Sequence, residues 1–572
     1  MRTNRKMEEK KMSMSKNIAR LAVTAGLTAA LSFGGVMAPV TMAFAAGTDG
    51  SVTIKNVDGN ATEFEGYQIF NADVADDGTV SNITWANTNV QHAVVSFIQA
   101  EDESYVGTTA QDAADWITKK VGDEGSSVAF NSTAYKIAAV VDGLADKKTT
   151  NNGAASGLAH GYWLFVTKAD TINEGEAGTS PIFTVVGSTP VKVSEKTGIP
   201  TVEKKIVSDA DSKEHDAADS QIGQDVTYNL YGTVAENFDK YDTYFYQFSD
   251  KISKGLTLQK GAKVYLYENR TDAKGDLARA KGTDITANFK EETPAEAAED
   301  GSKTTTWTCD NLKTVSDVTK DSYIVVSYKA QINKDAVVAG TEGNENTVTL
   351  NYSNNPMTST RGETQPDTVK DYTYGLKINK VDLGTEAKLP NAQFTITTKG
   401  DKDNEQVKYV DDKGKLSTNE VILKTDNDGV ITLTGLDAGV YTVKEVSAPD
   451  GYTAVDSFTF TIKPTMTDDG PAAGLTGVTG ELKTSQNTKV IAGLNDTSAG
   501  KVGDNKLDFK EGTLTNSDGT FNITVGDTKQ VGLPLTGLNG VTFTWIAGGA
   551  VLCIGVAHLI RSRKQAEESE QE

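Results

Sequence analysis

Two lysines in this chain occupy strand positions whose neighbours of equal parity are all apolar, a pattern that few folds tolerate. Side chains along a β-strand alternate between faces, so residues of equal parity share one side. In Val202-Glu203-Lys204-Lys205-Ile206, Lys204 falls on the face of Val202 and Ile206. In Leu376-Lys377-Ile378-Asn379-Lys380, Lys380 falls on the face of Leu376 and Ile378. Asp250 follows Tyr246 and Phe248, and Glu445 follows Tyr441 and Val443. Asn346 keeps the parity of Val348, Leu350 and Tyr352, and Asp527 that of Phe521, Ile523 and Val525. Polar groups on a buried face are costly unless paired. Any one of them could instead be a strand-end side chain that snorkels to water. Together they form two sets, each with one lysine, one acid, and one amide or second carboxyl.

The two ends of the chain carry export signals. Arg2, Arg5, Lys6, Lys10, Lys11, Lys16 and Arg20 precede the apolar, small-residue stretch 21–36, and Ala43-Phe44-Ala45 forms an A-x-A cleavage site. Residues 1–46 therefore read as a secretory signal peptide, outside the fold. At the other end, Leu533-Pro534-Leu535-Thr536-Gly537 is followed by the apolar run 541–560, then Arg561, Ser562, Arg563, Lys564 and an acidic tail. About twenty apolar residues span a bilayer as a helix, and the basic cluster after them marks the cytoplasmic side. An ordinary C-terminal membrane anchor would share that span and stop, but not the ordered pentapeptide before them.

Between these ends lie roughly 490 residues, enough for about three domains. The formal net charge of −22 argues against nucleic acid as a partner and for a self-repelling extracellular surface. Cys309 and Cys553 are the two cysteines, and the second lies in the apolar span. The secreted part thus has no internal disulfide to stiffen it. His92, His160, His215 and His558 are scattered, without the spacing of a metal or catalytic site; no metal and no cofactor is expected.

The spacing predicts a mainly β chain. A first domain, 47–196, has strands over 51–54, 65–70, 161–166 and 181–186, with helices over 90–100, 110–121 and 132–144, which gives a mixed sheet with a helical insertion. A second, 197–371, has strands over 201–207, 225–231, 263–267, 323–332 and 346–352. Short aromatic runs divided by Gly, Asp and Asn predict a sandwich. A third, 372–531, has strands over 375–381, 392–397, 430–434, 440–446, 458–462 and 521–525. Residues 465–511, rich in Gly, Thr, Asp and Asn, read as one long loop. Residues 532–572 are the terminal signal.

Longer motifs carry a family resemblance. Pro200-Thr201-Val202-Glu203-Lys204-Lys205-Ile206, Phe248-Ser249-Asp250 before Gly255-Leu256, and Gly343-Asn344-Glu345-Asn346 leading to Leu350-Asn351-Tyr352-Ser353-Asn354-Asn355-Pro356 resemble the isopeptide-forming, immunoglobulin-like domain of Gram-positive fimbrial subunits. Lys377-Ile378-Asn379-Lys380-Val381-Asp382, Leu389-Pro390-Asn391-Ala392-Gln393-Phe394, Gly435-Leu436 and the stretch from Tyr441-Thr442-Val443-Lys444-Glu445 to Asp450-Gly451-Tyr452 resemble the collagen-adhesin B-type repeat. The pentapeptide, span and basic stop resemble the L-P-x-T-G cell-wall sorting signal. The resemblance covers most of the chain after residue 190 and fits the first domain only loosely.

The resemblance implies a backbone pilin, not an enzyme. It implies that Lys204 and Asn346 condense with loss of ammonia beside the acid Asp250, and that Lys380 and Asp527 condense with loss of water beside Glu445. Such links would join a first to a last strand. The family usually carries Asn where Asp527 stands, so Asn522 is a competitor, although its parity is opposite to Phe521 and Ile523. It further implies that a sortase cleaves within Leu533, Pro534, Leu535, Thr536 and Gly537, and that the released membrane span stays behind. The Thr536 acyl group then goes to an amine. Pilus shafts carry that lysine in V-x-V-Y-P-K, where this chain has Val191-Lys192-Val193-Ser194-Glu195-Lys196. Lys196 fills the slot and Lys192 is its neighbour. Identical subunits, accessory pilins and peptidoglycan are the implied partners. The alternative is a monomeric wall-anchored adhesin or accessory pilin that binds a host ligand.

Overall fold

Alternation dominates the described chain, and it produces sheets packed face to face. The computed structural model describes residues 47–530 except 56–61, 77, 125–131, 143, 145–146, 173–176, 180, 195–197, 339, 341, 400–405, 468–472, 485–491, 496–511 and 517–518. The first β unit has two sheets. Gly50–Lys55 pairs antiparallel with Ala154–Leu158 and parallel with Val191–Ser194. Phe64–Val74 lies between Val80–Trp85 and Gly161–Thr167, and Ile182–Val186 follows on the far side. Helices Thr88–Glu101, Ala110–Glu124 and Thr133–Val141 intervene in sequence. The first begins where Asn87 caps the Val90 amide, satisfying a donor that the helix leaves open. Its buried Val90, Val94 and Ile98, four residues apart, form a stripe against Tyr67, Ile69 and Leu164.

The second unit is a sandwich. One sheet orders Glu214–His215, Val202–Val207, Asp225–Thr233, Tyr323–Ile332, Lys263–Tyr267 and Thr283–Asp284. The other orders Ala217–Asp219, Asp367–Tyr372, Asn344–Ser353, Tyr246–Ile252, Lys303–Cys309 and Lys290–Glu292. Along Tyr323–Ile332 the inward set is Ile324, Val326, Tyr328, Ala330 and Ile332. Val325 on the other face is buried as well, because Tyr231, Tyr267 and Ala273 cover it. Asn344–Ser353 is not the last strand, since Arg361–Glu363 and Asp367–Tyr372 pair with it afterwards. The expected first-to-last-strand link therefore does not describe this unit.

In the third unit, Tyr374–Asp382 pairs parallel with Thr520–Lys529, which places Lys380 beside Val525 and Asp382 beside Asp527. The facing sheet includes Gln393–Thr398, Gly439–Ser447 and Phe458–Thr467. The stretch read from sequence as a loop is corrected here. Phe458–Thr467 runs past residue 465 and pairs antiparallel with Gly474–Thr484, and Ala492–Asn495 pairs with Thr520–Lys529. Gly, Thr, Asp and Asn suggested a loop, but threonine is also at home in strands, and Leu475, Val478 and Leu482 of Gly474–Thr484 fill the core.

The second and third units are joined by more than the chain. Gln221 of the second donates to the Gly414 carbonyl and accepts from the Asp437 amide (3.1 Å) and the Tyr441 hydroxyl (3.3 Å). Ile222 lies so close to Gly435, whose φ is +76°, that a Cβ there would fall 2.0 Å from its side chain.

Candidate functional site

Lys204 enters the sandwich from the inward face of Val202–Val207, and it is wholly buried (0 % exposed). Its Nζ lies 5.6 Å from the Tyr228 ring centre and 5.4 Å from that of Tyr328, so aromatic faces flank the cation. The amine donates to Asp250 Oδ1, to Asn346 Oδ1 at 2.6 Å and to the Tyr328 hydroxyl at 3.0 Å. Asp250 and Asn346 come from paired strands of the opposite sheet, where Asp250 faces Val348 and Asn346 faces Ile252. The lysine thus reaches across the core to the other layer. Burial, the larger influence, pushes its pKa down to about 8 against the opposing pull of Asp250. At neutral pH about a tenth of such an amine is uncharged and nucleophilic.

Tyr328 completes this cluster. Its hydroxyl donates to Asp250 Oδ2 at 2.5 Å and accepts from Asn346 Nδ2 at 2.7 Å. The sequence-derived set omitted it. The only signal was a hydroxyl-bearing ring at apolar parity between Val326 and Ala330, and tyrosine is ordinary in a core. The Asp250 carboxyl contacts the amine and the phenol.

The third unit gathers Lys380, Glu445 and Asp527. The Lys380 amine is 0 % exposed, donates to Glu445 Oε2 at 2.9 Å and to Asp527 Oδ1, and sits 5.6 Å from the Phe394 ring centre. Here the lysine and Asp527 are on adjacent parallel strands, and Glu445 comes from the facing sheet. Glu445 Oε2 also accepts from the Val455 amide at 2.9 Å. Glu445 Oε1 and Asp527 Oδ2 have no hydrogen-bond partner among the described residues. Burial pushes Asp527 up to about 7; Lys380 opposes that shift and Glu445 adds to it. A proton held on Asp527 relieves the repulsion between the two carboxyls. Asn522 is half-buried on the other face, opposite Lys377, and does not approach Lys380.

Lys192 is exposed on the Val191–Ser194 strand. Lys196, Leu533, Pro534, Leu535, Thr536 and Gly537, the signal peptide and the apolar run 541–560 lie outside the described residues. Among the described residues no helix is long and apolar enough to cross a membrane, and no group of three or more His, Cys, Asp or Glu side chains could hold a metal.

Comparison with known proteins connects these clusters to a family. Residues 222–356 match the model of the Gram-positive pilin backbone subunit 2, Cna-B-like domain, and residues 374–472 match the SpaA prealbumin-like fold domain. These two stretches are similar to Gram-positive pilin domains. The first pilin match contains Asp250, Tyr328 and Asn346, and the second contains Lys380 and Glu445. The trypsin-resistant surface T6 protein of Streptococcus pyogenes serotype M6 is 25% identical over 412 residues, which cover 64% of this chain and 70% of that one. Among solved structures, the T6 backbone pilin of the same serotype overlays with a TM-score of 0.45 at 17% identity, over 84% of this chain and 98% of that one. The major pilin SpaD of Corynebacterium diphtheriae gives 0.43 at 15%, with the same coverage. The pilin domains belong to structural proteins, not enzymes.

Proposed function

We propose that this chain is the shaft subunit of a covalently polymerised surface pilus, stiffened by two internal amides. The observation that carries the reading is a pair of fully buried lysine amines, each held against an amide or carboxyl on a strand more than a hundred residues away. In the second unit, Lys204 Nζ attacks Cγ of Asn346, the C–N bond to Nδ2 breaks, and ammonia leaves. In the third, Lys380 Nζ attacks Cγ of protonated Asp527, the C–O bond breaks, and water leaves. Both steps use groups of this chain alone, and contact within a folded core supplies the effective concentration. No cofactor enters. Each bond forms once, so the chain is its own substrate and does not turn over.

Polymerisation rests on the terminal signal. A sortase thiolate attacks the Thr536 carbonyl, releases Gly537 and everything after it, and the acyl group passes to Lys196 of the next subunit. A contact between unlike surfaces of successive copies does not close, and so extends into a filament. Accessory pilins would share the filament, and the last transfer, to peptidoglycan, would anchor it in the wall. The pilin domains and the T6 relative support this shaft reading. Denaturing gels of wall extracts test it. A high-mass ladder that Lys196→Ala removes is the expected result; one band near monomer mass in the native protein would support a singly anchored adhesin instead. A ladder lost with Lys192→Ala and kept with Lys196→Ala would move the acceptor to Lys192.

A further inference from the structure

We infer that the Tyr328 hydroxyl is the proton relay of the Lys204–Asn346 condensation, passing a hydrogen from the attacking amine to the departing nitrogen. This inference rests on the reading of that pair as an amide-forming site. Attack by neutral Nζ on the amide carbon leaves that nitrogen with one hydrogen too many. At the same moment Nδ2 is one hydrogen short of ammonia. A group that touches both nitrogens can correct both. Asp250 does not fill that place, because its two oxygens are engaged by Lys204 Nζ and by the phenol. The Tyr328 oxygen does, standing 3.0 Å from Nζ and 2.7 Å from Nδ2.

The balance closes without a further reactant. The amine proton moves to the Tyr328 oxygen while the phenol hydrogen moves to Nδ2; ammonia departs, the C=O double bond re-forms, and Tyr328 ends as it began. In the resting arrangement the phenol hydrogen points at Asp250 Oδ2, 2.5 Å away. Once Asp250 Oδ1 has taken the lysine proton, the carboxyl is neutral and its Oδ2 is a weaker acceptor, so the phenol hydrogen is free to turn toward Nδ2. The ring is fixed for this task. Tyr228 stacks on it at 5.5 Å and 17°, and Trp307 stacks at 5.3 Å and 29°. Tyr228 and Tyr328 face each other across paired strands, and Trp307 belongs to the opposite sheet. Among the described residues no tyrosine hydroxyl hydrogen-bonds Lys380 in the third unit, where the departing group is an oxygen and a second carboxyl touches the amine.

The test follows the reaction in time. The full chain is synthesised in a cell-free system, samples are quenched in denaturant at intervals, and the Lys204–Asn346 crosslinked peptide is quantified by mass spectrometry. The Lys380–Asp527 peptide of the same molecule serves as an internal reference. Tyr328→Phe removes only the oxygen and should slow the Lys204 link by about 100-fold or more, the usual scale of general acid–base assistance, while leaving the reference link unchanged. Trp307→Phe loosens the stack but keeps the hydroxyl, and should change the rate only severalfold. If Tyr328→Phe forms the link at the native rate, or if Trp307→Phe slows it equally, the relay is overturned. Should Tyr328→Phe fail to fold, shown by ready cleavage of the second unit in limited proteolysis, 3-fluorotyrosine at position 328 replaces it: a changed rate supports the relay and an unchanged one overturns it. Absence of the Lys204–Asn346 peptide from the native chain would defeat the amide reading itself, and the relay with it.

Discussion

Asn346→Ala removes the acyl carbon that Lys204 would attack, and its cost can be worked from the positions of the two residues. They lie 142 residues apart, so the amide closes a loop of that length in the unfolded chain. The chain-entropy relation assigns such a closure about 5 kcal/mol. That is comparable with the whole stability of an ordinary domain. A unit of roughly 170 residues unfolds with an entropy of about 0.36 kcal/mol per degree, so the loss corresponds to a fall in Tm of about 14 °C. The variant also leaves the Tyr328 hydroxyl and the Lys204 amine without one partner each, which adds about 1–2 kcal/mol. Scanning calorimetry of the full chain, with reversibility checked by a second scan, measures the shift of the second unit's transition. Intact mass on the same sample shows whether the amide was present in the native protein. A fall of only a few degrees, in a native protein whose mass includes the amide, would refute the loop-closure argument. A conventional control is Thr347→Ala, the neighbour on the other face, which should shift Tm by a degree or two at most.

Further outcomes follow from the same geometry. Asp250→Ala and Glu445→Ala should each prevent one amide and spare the other, read as two separate crosslinked peptides; both links forming normally would remove these acids from the mechanism. The Lys380–Asp527 link needs an uncharged Lys380 amine and a protonated Asp527 together, and burial lifts the Asp527 pKa to about 7, well above the usual carboxylate range; its rate of formation should therefore fall toward both acid and alkaline pH. By linkage, the third unit before crosslinking is most stable below the unfolded carboxylate pKa and loses that increment as pH rises through about 7, which denaturant titration of the Lys380→Arg variant, which keeps a buried cation but cannot form the amide, at pH 5 and 8 would register as a lower midpoint at pH 8. Gly435→Ala would force a Cβ against Ile222 at a positive φ, and it should cost roughly 1–3 kcal/mol and separate the transitions of the second and third units in calorimetry; an unchanged, joint transition would show that the Gln221 contacts do not couple them.

Most of the geometry of the two lysine clusters was legible in the sequence because strand parity is a hard rule. Lys204, Asn346, Lys380 and Asp527 face the core because their neighbours two residues away do, and parity also separated Asp527 from Asn522. Parity cannot say which inward-facing groups meet, since that depends on the register of strands distant in sequence. It is the pairing of Tyr246–Ile252 with Asn344–Ser353 that brings Asp250 and Asn346 to one end of the core. Tyr328 was missed for a different reason. A tyrosine at apolar parity satisfies every packing expectation, and only its three hydrogen bonds distinguish it. The stretch 465–511 misled through composition: Gly, Thr, Asp and Asn read as loop, while the sparse Leu475, Val478 and Leu482 were enough to seat a strand on the core. The junction of the second and third units had no sequence signal, because Gln221 and Gly435 are more than two hundred residues apart.

The central claim is that two lysines of this chain are consumed by their own domains. Intact mass of the secreted, folded chain, followed by peptide mapping, tests it most directly. The account predicts a mass below that of the sequence by about 17 Da for lost ammonia plus about 18 Da for lost water, with branched peptides joining Lys204 to Asn346 and Lys380 to Asp527. An undiminished mass, with free Lys204 and Lys380 in the digest, would contradict it.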